Sequence, residues 1–199
     1  MKKNREIRAL ARTQLKGSWL EAVGVSFVYY LIISASSVIL GLGPFVLSGP
    51  LTLGLYGYFL LKIKGERTQF ENLFDGFKQF GSGIILFLLD FIFLFLWSLL
   101  LIVPGIIKYF SYSMAFFILK DNPEIGAKEA ITRSRKMMNG YKWKLFCLYF
   151  SFVGWCLLCV LTLCIGFLWL FPYMYISLAN FYNDLKENQQ AAQPEQPAA

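Results

Sequence analysis

Asp90 is the residue with the clearest capacity for chemistry. It interrupts a run from Gly81 to Ile107 in which no other residue is charged. An intramembrane carboxylate is costly and faces a bundle interior, a cavity or a partner. Its functional reading is an intramembrane polar site that binds a proton or cation. Its structural reading, the ordinary one, is a neutral or hydrogen-bonded Asp that fixes helix packing. Lys108 is a poor direct partner, because at 1.5 Å per residue the two depths differ by roughly 12 Å. The chain has no histidine, which removes the commonest general base and metal ligand. Cys147, Cys156, Cys159 and Cys164 fall in one apolar run. Cys156 and Cys159 have the spacing of a redox or zinc pair, but no second pair or histidine completes a site. They read as small hydrophobes. There is no Gly-rich phosphate loop and no nucleophile elbow. The expectation is a chain that is not an enzyme and carries no metal or cofactor.

The basic residues form a second group. Arg5, Arg8, Arg12 and Lys16 recur at three and four, which draws one cationic helical face opposite Ile7, Leu10, Ala11 and Leu15. Lys128, Arg133, Arg135 and Lys136 oppose a small, weakly apolar face of Ala127, Ala130, Ile131, Ser134 and Met138. Both sets are candidate contacts for anionic lipid headgroups, at about 1 kcal/mol per Lys or Arg near the surface. They also set membrane sidedness, and the two roles are compatible. A nucleic-acid partner is not expected, because the cations follow a sidedness pattern rather than one continuous patch.

The elements that must position these residues follow from the charge map. Of 199 residues, 57% are hydrophobic and 16% charged, against about 25% charged in a soluble domain. Residues 22–61 and 145–183 carry no charge. Each stretch is twice the roughly 20 residues that one membrane helix needs. Each has a turn signal in its middle, Gly41-Leu42-Gly43-Pro44 and Cys164-Ile165-Gly166. A third hairpin spans Gly81 to Leu119, broken at Val103-Pro104-Gly105. Its second arm is short, with Lys108 snorkelling to the outer interface and a re-entrant segment as the competing reading. Of 19 Lys and Arg residues, all but Lys108 lie in segments outside the hairpins. The positive-inside rule puts those segments and both termini in the cytoplasm.

The fold class is therefore all-α: a polytopic bundle of six transmembrane helices in three hairpins, with amphipathic interfacial helices on the cytoplasmic side. Phe70, Leu73, Phe74 and Phe77 mark one of those helices at helical spacing. Ser34, Ser36, Ser37 and Gly41, with Gly54 and Gly57, are small residues that let helices approach closely. The apolar run after Met1-Lys2-Lys3 is too long for a cleaved leader and reads as a retained span. Residues 1–187 form a single membrane domain. A three-unit repeat, 1–62, 63–120 and 121–187, is suggested by a glycine junction in each unit: Lys16-Gly17-Ser18, Phe80-Gly81-Ser82 and Asn139-Gly140-Tyr141. Residues 188–199 are too polar to pack and are expected to be disordered.

Several segments carry a family resemblance. They are Leu15-Lys16-Gly17-Ser18-Trp19, Gly49-Pro50-Leu51-Thr52-Leu53-Gly54, Ile102-Val103-Pro104-Gly105-Ile106-Ile107, Tyr112-Ser113-Met114-Ala115-Phe116, Asp121-Asn122-Pro123-Glu124-Ile125-Gly126, Trp143-Lys144-Leu145-Phe146 and Gly166-Phe167-Leu168-Trp169-Leu170-Phe171-Pro172-Tyr173. In this order they resemble a bacterial integral membrane protein family catalogued as domain of unknown function 975. The resemblance implies a multi-pass protein of the bacterial plasma membrane and transfers no catalytic or binding residue. The expected function is a non-enzymatic scaffold, accessory or envelope-integrity role exerted through the lipid bilayer and a membrane-protein partner. The alternative is a small transporter or channel with Asp90 in a polar cavity.

Overall fold

The computed structural model describes residues 1–40, 43–100 and 102–192. Among them every regular element is helical. Helix α1 (Asn4–Leu15) opens where the Glu6 carboxylate accepts the Lys3 N–H at 2.9 Å. It buries Ile7, Ala11 and Leu15, one residue per turn, while Leu10 stays at the exposed rim of that face. Gly17 ends it at φ +86°, a conformation that costs glycine little. Then follow α2 (Trp19–Leu40) and α3 (Gly43–Ile63), a 3-10 segment (Phe70–Gln79) that runs directly into α4 (Phe80–Leu100), α5 (Ile102–Tyr112), α6 (Ala115–Asp121), α7 (Ala127–Met137), α8 (Lys142–Phe150), α9 (Val153–Leu161) and α10 (Phe167–Ala192).

Among the described residues four stretches are long and apolar enough to cross a membrane: Trp19–Ser37, Gly43–Ile63, Phe70–Leu99 and Lys142–Leu161. The other two expected arms have a different build. One is divided into α5 and α6 between Tyr112 and Ala115. The other, α10, contains Pro172 and a polar lower half. The expected break at Val103-Pro104-Gly105 lies inside α5 instead. Pro104 falls in the first helical turn, where its missing N–H has no partner to lose. Pro44 is placed in the same way in α3. The third turn is where the sequence put it, with Leu163 and Cys164 at φ +50° and +67°.

Two of the three expected glycine junctions are left-handed turns, at Gly17 and Gly140 (φ +82°). Gly81 is not one, because the 3-10 segment passes into α4 without a turn and Gly81 is helical. At the other end, α10 continues through Ala192. Residues 188–192, expected to be disordered, are therefore helical. Asn188 is tied to the Asp184 carbonyl, and Gln189 donates to the Met137 carbonyl at 3.3 Å. The turn residues Gly41 and Leu42 and the tail from 193 to 199 lie outside the described residues.

The expected Phe70, Leu73, Phe74, Phe77 face is built on a tighter period. In a 3-10 helix residues three apart eclipse. Leu73 and Gly76 are buried on one edge. Phe74, Phe77 and Phe80 stack on another, with ring centroids 6.2 and 6.1 Å apart, and remain more than a third exposed. The buried edge lies on α3 backbone against backbone. A Cβ added to Gly76 would stand 1.9 Å from the Pro50 carbonyl oxygen, and one added to Gly54 would stand 1.8 Å from that of Leu73. One turn on, Gly49 meets the Gly83 carbonyl. Gly57, the other small residue expected to allow close packing, is covered by the Lys120 stem.

At the centre α3, α6 and α10 share an aromatic stack. Tyr56 meets Phe117 edge-on at 4.4 Å, Phe59 stacks on Tyr175 at 5.5 Å and Phe117 on Tyr182 at 5.2 Å. The large exposed apolar side chains lie mainly on the outward faces of α2, α4, α5, α8 and α9. Gly76→Ala is expected to destabilise the protein by at least the roughly 1–3 kcal/mol typical of overpacking, since a backbone carbonyl cannot move aside as a side chain can. Gly81→Ala, with open space around its Cβ, should be neutral or gain about 0.5–1 kcal/mol from helix propensity. Thermal unfolding in detergent, followed by circular dichroism, separates the two.

Candidate functional site

Asp90 lies on α4 with its Oδ1 buried and without a hydrogen-bond partner among the described residues. The phenols of Tyr56 on α3 and Tyr112 at the end of α5 are within electrostatic reach of it. Phe93, one turn further along α4, packs on Tyr112 at 6.2 Å. Lys108 makes no ion pair with Asp90 among the described residues; its Nζ sits 4.4 Å above the ring of Trp97. Asp90 lines neither of the two cavities described next.

The α1 cations do not form one free face. Arg12 Nε donates to Tyr173 Oη at 3.1 Å, and its guanidinium lies over the rings of Tyr173 and Trp155. Arg8 Nη1 reaches the Ser151 carbonyl at 3.5 Å. Arg5 and Lys16 remain exposed. Arg12 also borders an apolar cavity of about 480 Å³, walled by Trp19, Trp155, Trp169 and Leu170. Arg8 and Arg12 thus anchor α1 to the start of α9 and to α10, a role that helical spacing alone could not reveal.

Helix α7 matches its expected pattern residue for residue. Ala127, Ala130, Ile131, Ser134 and Met138 are buried, and Lys128, Arg133, Arg135 and Lys136 are exposed. Ser134 does more than pack. Its hydroxyl donates to the Ser111 carbonyl at 2.8 Å and accepts the Met114 N–H at 3.3 Å, which satisfies the backbone where α5 breaks from α6. Arg133 is paired with Glu129 on its own helix. Arg135 and Lys136 line a recess of about 380 Å³ with Thr132, Asn139, Lys142 and Lys108. This corrects the expected position of Lys108. The return arm is short enough to bring it among the cations of α7 and α8, not to a separate interface.

Asp121, at the end of α6, gathers an ion network that the sequence did not announce. Its carboxylate meets Lys64 Nζ at 3.1 Å and also the Lys186 ammonium, and it accepts the Tyr182 hydroxyl at 3.2 Å. Glu21 and Lys62 pair at 3.1 Å, with Thr68 bridging them. The four cysteines are free, with Cys159 buried and Cys164 exposed. Among the described residues no cluster of His, Cys, Asp and Glu could hold a metal. Burial pushes the Asp121 carboxyl upward, but hydrogen bonds and charge from Lys186 and Lys64 outweigh it and hold the group below the ordinary value of 3.8. A carboxyl with a lowered folded pKa stabilises the protein above the unfolded value and loses that contribution as pH falls through the folded one. Asp121→Asn should cost about 1–3 kcal/mol at pH 7. The gap to wild type should begin to narrow below about pH 3.8 and close only as pH falls past the lowered folded value, as unfolding curves at pH 7 and at steps downward from about pH 3.8 would show.

A family model described as Protein of unknown function (DUF975) matches residues 1–111 and 98–189. No curated protein and no solved structure matches the chain. The two matched segments together run from the first residue almost to the end of α10, and the chain belongs to the DUF975 family.

Proposed function

We propose that this chain is a multi-pass protein of the bacterial plasma membrane that acts without catalysis, as a scaffold, accessory or envelope-integrity component, through contacts with lipid and with a membrane-protein partner. One observation carries this reading. Large apolar side chains stand exposed on helices of membrane-crossing length, and the cations gather beyond their ends. Leu20, Leu99, Leu161 and Leu163 are 74–87% exposed, which water disfavours and acyl chains accept. The six apolar arms pair as three hairpins, with both termini and all connecting segments in the cytoplasm. Lys108 supports a shallow second hairpin. It stands six positions after Ile102, about 9 Å of helix, so a re-entrant second arm competes with a full crossing.

Asp90 supports the alternative, a proton- or cation-linked transporter, through its unpartnered Oδ1. Packing accounts for the same atom, because one carboxylate without a second polar group at matching depth makes no pathway. Under the packing reading Asp90→Asn should keep the fold, and Asp90→Leu should be neutral or stabilising, as when a buried polar group gives way to a fitted apolar one. A proton or cation flux in wild-type proteoliposomes that vanishes in a normally folded Asp90→Asn protein would replace the scaffold reading with the transporter.

Topology is checked with native chemistry. Cys164 is exposed at the tip of the third hairpin. With Cys147, Cys156 and Cys159 changed to Ser, it should react with a membrane-impermeant maleimide from outside intact cells. In a cysteine-free background, Gln69→Cys should not react. Val103→Cys should also stay unlabelled if the second hairpin is re-entrant. Labelling at Gln69 would overturn the orientation, and labelling at Val103 would restore a full crossing.

A further inference from the structure

The recess between α5, α7 and α8 holds four cations and no acid. Lys108, Arg135, Lys136 and Lys142 line it, and none of them makes an ion pair among the described residues. The nearest acid along α7, Glu129, is engaged by Arg133. The like charges of Arg135 and Lys142 bear on Lys108, and Lys108 and Lys142 are half-buried, so water screens them only in part. Three helices have thus been folded together against their own repulsion. The arrangement is also held in place. Lys108 rests on Trp97. The left-handed turn at Gly140 brings Lys142 back beside Arg135. Ser134 pins α7 to the end of α5.

We propose that Lys108, Arg135, Lys136 and Lys142 form a binding site for a phosphate-bearing anion. The guanidinium of Arg135 supplies a planar two-pronged donor suited to two phosphate oxygens, and the three ammonium groups supply point charges around it. The amide of Asn139 adds a neutral donor. About 380 Å³ is many times the roughly 30 Å³ share of one water, which is room for a phosphate group with its waters. Exposed apolar side chains flank the recess, Ile107 on α5 and Trp143 on α8. An anionic phospholipid can therefore seat its headgroup here with its chains against those helices, and a free phosphate would meet the same donors. The lipid form of the site rests on the membrane-contact reading above; the anion site does not.

The test uses the full-length protein in a neutral detergent. Thermal unfolding is followed against phosphatidylglycerol, phosphatidylcholine and, at constant ionic strength, inorganic phosphate. Wild type should prefer phosphatidylglycerol to phosphatidylcholine. Lys108→Gln with Arg135→Gln should weaken the apparent affinity for phosphatidylglycerol about 25-fold, at about fivefold per cation. Lys142→Gln alone should weaken it about fivefold. A charge-matched control, Lys3→Gln with Arg67→Gln, both exposed and outside the recess and the two candidate lipid-contact sets, should stay within about twofold of wild type. Without any anion the recess variants should be as stable as wild type or more so, because repulsion is relieved. Stabilisation of wild type by inorganic phosphate that the double variant loses supports the site with a free anion as ligand; a response to phosphatidylglycerol alone supports it with a headgroup as ligand. If wild type prefers phosphatidylglycerol but the recess variants and the control lose equally or not at all, the recess proposal falls and general lipid contact stands. If wild type shows neither the lipid preference nor a phosphate response, both fall.

Discussion

The contact between Gly76 and the Pro50 carbonyl, with Gly54 against Leu73 beside it, is the constraint on which the packing of α3 against the 3-10 segment and α4 depends. No side chain intervenes there, so the two backbones fix each other's register. The constraint also explains why a ten-residue 3-10 segment stands where an α-helix was expected. Leu73 and Gly76 must lie on one line along α3. Three residues turn an α-helix through about 300° but close a full turn of a 3-10 helix. The tighter winding puts both residues on the contact line and moves Phe74, Phe77 and Phe80 together onto a separate edge. The Gly49 and Gly83 approach then lets α4 leave α3 without a connecting turn.

Polar groups do the corresponding work at the ends of the elements. Ser134 takes the place of helical partners where α5 gives way to α6. Asp121 ties the end of α6 to Lys64 beyond α3 and to Tyr182 and Lys186 on α10. Glu21 and Lys62 join α2 to α3. These acids are matched to cations from other elements, so charge acts as a set of cross-links between helices. A buried or half-buried ion pair is weak evidence of net stability, but each of these pairs fixes which segment ends lie together.

Which of these features could be read in the sequence depended on how local their cause is. The α7 face was legible residue for residue, because an ordinary α-helix with one buried side repeats at three and four. The turn at Cys164 was legible from its residues. The face at Phe70 was legible in kind but not in period, since the close approach that winds it belongs to α3. Val103-Pro104-Gly105 was misplaced because proline marks a helix start as readily as a break. Gly17, Gly81 and Gly140 look alike in sequence, yet only the first and last adopt the left-handed conformation. Asp90 was legible as a lone carboxylate in an apolar helix, while the phenols of Tyr56 and Tyr112 within its electrostatic reach were not. Lys108 was misplaced for a three-dimensional reason: a count of charge along the chain does not contain the length of the arm that carries it.

Asp90 and the cationic recess are two places where polar groups lack partners among the described residues, and they differ in what they require. A carboxyl in an apolar setting can become neutral by taking a proton, and its bare oxygen then costs no more than an unmet hydrogen bond. Asp90 therefore needs no ligand to be tolerated. The recess has no equivalent escape. Arg135 cannot deprotonate in a protein, and releasing a proton from one lysine still leaves three cations facing one another. Separation would relieve the charge, but Ser134 pins α7 to α5 and the turn at Gly140 returns the chain to α8. Water screens part of the charge at the exposed Arg135 and Lys136, and a bound anion would neutralise the rest without moving the helices. On the anion-site proposal the recess calls for a ligand and Asp90 does not.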